Sequence, residues 1–347
     1  MRAAASASLL LVAALTGCSD ALEQSTAAGQ VVVAVNSTSR TLSLVSVDDH
    51  SVVTNAMAPP GATARTAAVQ GSSLLAIPAL DSGAIAVYDF TNGRVPELAF
   101  RPLPAGSGAG GIAITRDSVA WVANTALNSV SRVDFRTSAI TTFAGEAYPQ
   151  AVVVAQGFVF VTNTNLSGGV PTGSAWIRVR SQETGALASP DSIPLTGTNA
   201  RYAIVGEDGL IYVVEAGTPG KADGKVSIVD PVSHSELVVV NGLGESPGPA
   251  VYHPAGRLLV ASQTEGILEI DTSRRMLLRG AGQGLKPGGA GIAVLTLDEA
   301  GRVYAFDRGD CTAPGTLHVL SPPPEYHDDQ QIPVGICPVA AATTLVP

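Results

Sequence analysis

VVVAVN at Val31–Asn36, VAWVAN at Val119–Asn124 and FVFVTN at Phe158–Asn163 are three copies of one pattern: a short apolar strand that ends in Asn. Four variants follow the same plan, SLLAIP ending at Pro78, LIYVVE at Glu215, RLLVAS at Ser262 and RVYAFD at Asp307. Successive ends are 42, 46, 39, 52, 47 and 45 residues apart, which is the period of a propeller blade. Next in each unit comes a strand that ends in Asp, as in IAVYD (Asp89), VSRVD (Asp134), VSIVD (Asp230) and LEID (Asp271). An Asp at that point accepts backbone N–H bonds two residues on and closes a turn. Stretches rich in Gly and Ala, GIAI from Gly111, AVVV from Ala151, YAIV from Tyr202 and GIAV from Gly291, suit innermost strands that crowd around an axis. The first repeat lacks such a strand, and PVAAATTLV at Pro338–Val346 supplies it from the far end of the chain. The expectation is an all-β, seven-bladed β-propeller of four-stranded blades, its ring closed by the C-terminal strand joining the first blade.

Composition agrees with many short buried strands. Of 347 residues 46% are hydrophobic and only 14% charged, with 37 Gly and 23 Pro to make turns. A net charge of −9 with no basic stripe excludes nucleic acid as the expected partner.

The N-terminus reads as an address. Met1-Arg2 precedes an apolar run of 13 residues, Ala3 to Leu15, too short to span a bilayer and suited to a secretory leader. Leu15-Thr16-Gly17-Cys18 resembles the lipobox of bacterial lipoproteins, which implies cleavage before Cys18 and acylation of that cysteine. The expected organisation is a signal peptide over 1–17, a lipidated Cys and flexible tether over 18–30, and the propeller over 31–347. The implied location is the cell envelope, periplasmic or surface-exposed, with the N-terminal lipid in the membrane. Ser19, in the place where Asp favours inner-membrane retention, tilts the resemblance toward the outer membrane. A monomer is expected.

FVTN at Phe160–Asn163, VAN at Val122–Asn124 and the recurring V-x-V-D turns resemble YVTN-type propeller repeats, and Pro287–Asp307 resembles an NHL repeat. In such propellers the ends of the second strands and the segments leading into the innermost strands meet on one face. The resemblance therefore implies a channel mouth carrying Asn36, Asn124, Asn163, Glu215 and Asp307, with Arg65, Gln150 and Arg201 on the approaches to innermost strands. Two arginines at matching positions can converge on one anion, since guanidinium binds carboxylate or phosphate bidentately. The alternative is local pairing, Arg201 with Glu215 of its own blade.

No metal or other cofactor is expected. Lactonases of the gluconolactonase type use an acid and asparagine cluster on this face, but here the approaches to the innermost strands carry no carboxylate. The five histidines show no zinc spacing, His327 sits in a Pro-rich stretch expected to be a solvated loop, and no G-x-S-x-G motif occurs. With Cys18 acylated, Cys311 and Cys337 remain as a pair able to form a disulfide at the ring closure. Two functions stay open: a non-enzymatic envelope module that binds a protein, peptide or glycan, or a lactonase-like hydrolase or lyase acting on a small anion at the channel mouth.

Overall fold

The computed structural model describes residues 29–55, 67–70, 73–79, 83–92, 96–115 and 118–346. Cys18 and Arg65 lie outside them. Seven four-stranded antiparallel sheets stand in the order of the sequence, and a two-stranded hairpin (Leu166–Ser167 with Val170–Pro171) is inserted in the fourth. Blades one to seven are numbered by their second strands, which begin with Gly29–Asn36. Blade one takes its innermost strand, Pro338–Val346, from the chain's end; Gly29–Asn36 pairs with it on one side and with Thr41–Ser46 on the other. The expected closure is the one observed. It lies wholly between Gly29 and Val346, so a chain starting at Ser19 contains the entire ring.

Period-two alternation builds the ring. Val31, Val33 and Val35 pack against Leu75, Ile77 and Tyr88 of blade two, whereas Val32 and Ala34 pack against Tyr304 and Phe306 of blade seven. Successive side chains of a strand point to opposite faces, so each second strand serves two blade interfaces at once. Seven apolar clusters result, one at each interface. Fully burying one such Val, Leu, Ile or Phe is worth roughly 1.5–3 kcal/mol, and this repetition is the main source of stability.

The turn aspartates act as their recurrence predicts. Asp89, Asp134 and Asp230 each accept the backbone N–H two residues on, at 2.8–2.9 Å, and Asp271 accepts that of Arg274 at 2.9 Å. Those backbone bonds hold the carboxyls of Asp134, Asp230 and Asp271 below the ordinary range.

Three local expectations are corrected. The first strand starts at Gly29, two residues inside the expected tether, because Gly29 and Gln30 pair with Val346 and Leu345. The innermost strand of blade seven starts at Val294. Gly291 lies before it, where a Cβ would overlap the backbone of Gln263 in blade six. The stretch after His327 is a strand: Asp328–Ile336 forms the outermost strand of blade seven.

Cys311, in the turn after the second strand of blade seven, is disulfide-bonded to Cys337, which directly precedes the closing strand; their Cα atoms are 4.6 Å apart.

Candidate functional site

The residues that end the second strands are turned into the blades. Asn36, Asn124, Asn163 and Glu215 are fully buried. Asn36 Nδ2 donates to Ser43 Oγ at 3.0 Å and Asn124 Nδ2 to Ser131 Oγ at 2.8 Å, each serine lying on the adjacent third strand. Ser131 continues the line to Thr142 on the outermost strand at 2.9 Å. Asn163 takes a different partner, donating to Glu146, which forms a buried ion pair with Arg180 at 2.8 Å.

Glu215 occupies the place of the asparagines. Its carboxyl accepts Gly197 N–H at 3.1 Å and lies 3.0 Å from Ser227 Oγ, which lies 2.6 Å from Glu236. Burial, with the Glu236 charge adding to it, pushes the Glu215 carboxyl up to about 7. A serine hydroxyl has one proton to give. Glu236 also receives the N–H of Thr196 at 3.0 Å, so a neutral Glu215 can donate to Ser227 while Ser227 donates to Glu236. Protonated, Glu215 is the counterpart of the neutral asparagines in blades one and three.

Asp307 accepts Gly309 N–H at 2.8 Å, Ser262 accepts Glu265 N–H at 3.1 Å, and Gln150 is buried at the junction with blade three.

The mouth is formed one residue further along. Ser37, Gln263 and Arg308, each directly after a second strand, line a cavity of about 540 Å³ together with Arg201 and Tyr202, which lie within the innermost strand of blade five, Ala200–Val205, and not before it. Both faces of a second strand pack between blades, so the mouth is reached only past the strand's end, by the residue that follows it. Arg308, Gln263 and Tyr202 were missed by attending to the strand end itself. In blades three and four the corresponding residues, Thr125 and Thr164, bond the carbonyls of Pro149 and Tyr148; the first bond joins blade three to blade four, and the second ties blade four to the residue before its own innermost strand.

Arg201 and Arg308 have no ion-pair or hydrogen-bond partner among the described residues; Arg201 lies only near the ring of Tyr202, 5.9 Å from its centroid. Pairing of Arg201 with Glu215 is not observed, because Glu215 is committed inside the blade. The one carboxylate in the lining, Glu245, accepts the N–H of Gly220 at 3.1 Å.

Below the mouth the channel continues as a waist of about 440 Å³, to which every blade contributes and whose lining is predominantly apolar, with Ala151, Ala203 and Ala341 beside larger residues such as Ile204 and Leu295. Tyr202 and Pro249 belong to both mouth and waist. The waist's two threonines, Thr296 and Thr343, bond each other at 3.1 Å. Beyond it, Glu207, Asp298 and Glu299 surround a cavity of about 420 Å³ at the opposite mouth, which shares Tyr252, Leu297 and Thr343 with the waist.

Two of the histidines, His253 and His318, are structural. His253 is buried and bridges blades six and seven, with Nδ1 accepting Ala255 N–H at 3.0 Å and Nε2 donating to Gly301 O at 2.9 Å. His318 bonds Asp328 across blade seven at 2.8 Å. Among the described residues, no group of three or more His, Cys, Asp or Glu could hold a metal ion.

No protein-family model matches the chain, and no curated protein matches it in sequence. Solved structures share the architecture. Hydrazine synthase of Kuenenia stuttgartiensis matches over 80% of this chain and 89% of its own, with TM-score 0.62 and 16% identity. A streptogramin B lyase matches over 80% and 94%, with TM-score 0.61 and 13% identity. Apo AztD from Citrobacter koseri matches over 92% and 99%, with TM-score 0.60 and 12% identity. Identities this low establish the propeller alone.

Proposed function

We propose that this chain is an envelope-anchored, non-enzymatic binding module whose arginine-lined mouth holds an anionic group of its ligand, a carboxylate or phosphate. One observation carries the reading: Arg201 and Arg308 share a cavity and neither has a counter-ion among the described residues. A guanidinium presents a planar fork of donors suited to an oxyanion, and two in one concave site leave room for a charge from outside. Gln263, Ser37 and Thr264 add neutral hydrogen-bonding groups to the same lining. Envelope attachment rests on the leader and on Leu15-Thr16-Gly17-Cys18.

A thermal-shift panel of acetate, sugar acids, lactones and phosphates on the chain from Ser19 onward tests the site. An anion at a hundred times its Kd adds about 2.7 kcal/mol and raises the transition; Arg201→Ala and Arg308→Ala are expected to abolish that shift. A flat panel would overturn the reading. Breakdown of a ligand during the assay, seen by mass spectrometry, would turn the mouth into a reaction chamber instead. Loss of acyl labelling in Cys18→Ser checks the anchor, and retained labelling would refute it.

A further inference from the structure

We infer that the natural ligand is a short, extended peptide of small residues, threaded along the channel with its C-terminal carboxylate at Arg201 and Arg308. The inference rests on the anion reading of that mouth and extends it to the body and direction of the ligand.

Three features of the channel converge. The first is polarity along the axis. One mouth carries two unpaired arginines, and the other carries Glu207 and Glu299, whose carboxylates have no basic partner among the described residues, beside Asp298, which is paired with Arg302 at 2.6 Å. A peptide is a dipole of the matching sense, with a carboxylate at one end and an ammonium at the other.

The second is the wall. Among the described residues every innermost strand stands at the end of its sheet, bonded to a second strand on one side and to no strand on the other. The free edges present backbone N–H and C=O groups toward the axis. An aliphatic chain would strip water from them without replacing its bonds, whereas an extended peptide offers matching amides. The lining is predominantly apolar, and its alanines, Ala151, Ala203 and Ala341 among them, stand between larger residues such as Ile204, Leu295 and Tyr252, which suits a backbone with small substituents.

The third is length. The innermost strands Ala109–Ile114 and Ala200–Val205 are six residues each, about 20 Å at the rise of a strand. An extended peptide of the same residue count therefore reaches from one charged mouth to the other.

Calorimetry with the hexapeptide Ala-Ser-Ala-Ala-Ser-Ala on the chain from Ser19 onward tests this. The free peptide is expected to bind at least tenfold tighter than acetate. C-terminal amidation should weaken it by tenfold or more, and N-terminal acetylation by a few-fold. In the double variant Arg201→Ala with Arg308→Ala the free and amidated peptides should bind alike; in Glu207→Gln the free and acetylated peptides should draw together. Ala341→Phe, which fills the waist, should remove the advantage of peptide over acetate and leave acetate binding unchanged; Ala203→Leu repeats the test if the first variant does not fold. Arg-dependent binding of acetate with no gain for the peptide would overturn the threaded peptide and leave the anion site standing. Decanoate binding tighter than the peptide would overturn it in favour of an aliphatic ligand. Absence of any anion binding that depends on Arg201 or Arg308 would sink both readings.

Discussion

The two mouths of the channel come from the same seven repeats and differ in what their charges are for. At the acidic mouth the chain makes tight hairpins between innermost and second strands, and the turn itself asks for carboxylates. Asp208 accepts Leu210 N–H at 3.1 Å, and Asp298 accepts Arg302 N–H at 2.8 Å. At the opposite mouth Arg201 and Arg308 close no turn and pair with nothing among the described residues. Fold-making therefore explains part of the acidic mouth and none of the basic one. An unexplained charge in a concave site is the better guide to function.

The comparison breaks most readily at the arginines. Replacing both by Ala should weaken carboxylate or phosphate binding by about a hundredfold or more, since hydrogen bonds to charged groups contribute about 1.5–3 kcal/mol each. Calorimetry on single and double variants checks this, and unchanged affinity would remove the distinction between the mouths. Ring closure is the next test, because the closing strand runs from Val339 at one mouth to Leu345 at the other. Cys311 and Cys337 are 26 residues apart, and loop-closure entropy assigns their bond about 3.5 kcal/mol. Cys311→Ser should lower the unfolding free energy by about that amount, read by urea denaturation without reductant.

Glu215 adds a pH test beside the basic mouth. Its carboxyl is raised from 4.5 to about 7, so the folded state keeps a proton that the unfolded chain has already released. This contribution to stability is full below about pH 4.5 and is lost as pH rises through about 7. The loss is on the order of 3 kcal/mol, and Glu215→Gln, neutral throughout, should flatten that part of the profile. An unchanged slope in denaturant titrations from pH 5 to 8 would contradict a protonated Glu215. The smallest effect belongs to the acidic mouth. Glu207→Gln and Glu299→Gln should leave binding of simple anions within about twofold, since exposed charges contribute about 0.2–1 kcal/mol. A larger change would mean that the far mouth also governs the anion site.

The repeat was legible because its signals are local: apolar alternation, a terminal Asn or Asp, and a fixed period. The candidate site was legible only to within one residue. Asn36 still belongs to its strand, both faces of which pack between blades, whereas Arg308 is the first residue beyond its strand and reaches the mouth. The family pattern pointed to the strand end, Asn36 or Asp307, whereas Ser37 and Arg308 line the mouth. The expected pairing of Arg201 with Glu215 failed for a related reason. Glu215 shares the inward face of the asparagines, where burial favours its neutral carboxyl, bonded to Gly197 N–H and to Ser227, over an ion pair at the solvent-facing mouth.

By itself the sequence determined the blade count, the turn chemistry and the closure of the ring by Pro338–Val346, since each depends on contacts between chain neighbours or on a repeated period. Only the tertiary structure decided which charges remain unpaired. Arg201 and Arg308 stand 107 positions apart in the chain, and nothing in their local sequence distinguishes a paired arginine from a free one. Closing the ring brings blades five and seven around one mouth, and a charge has a partner or lacks one only once every blade is in place.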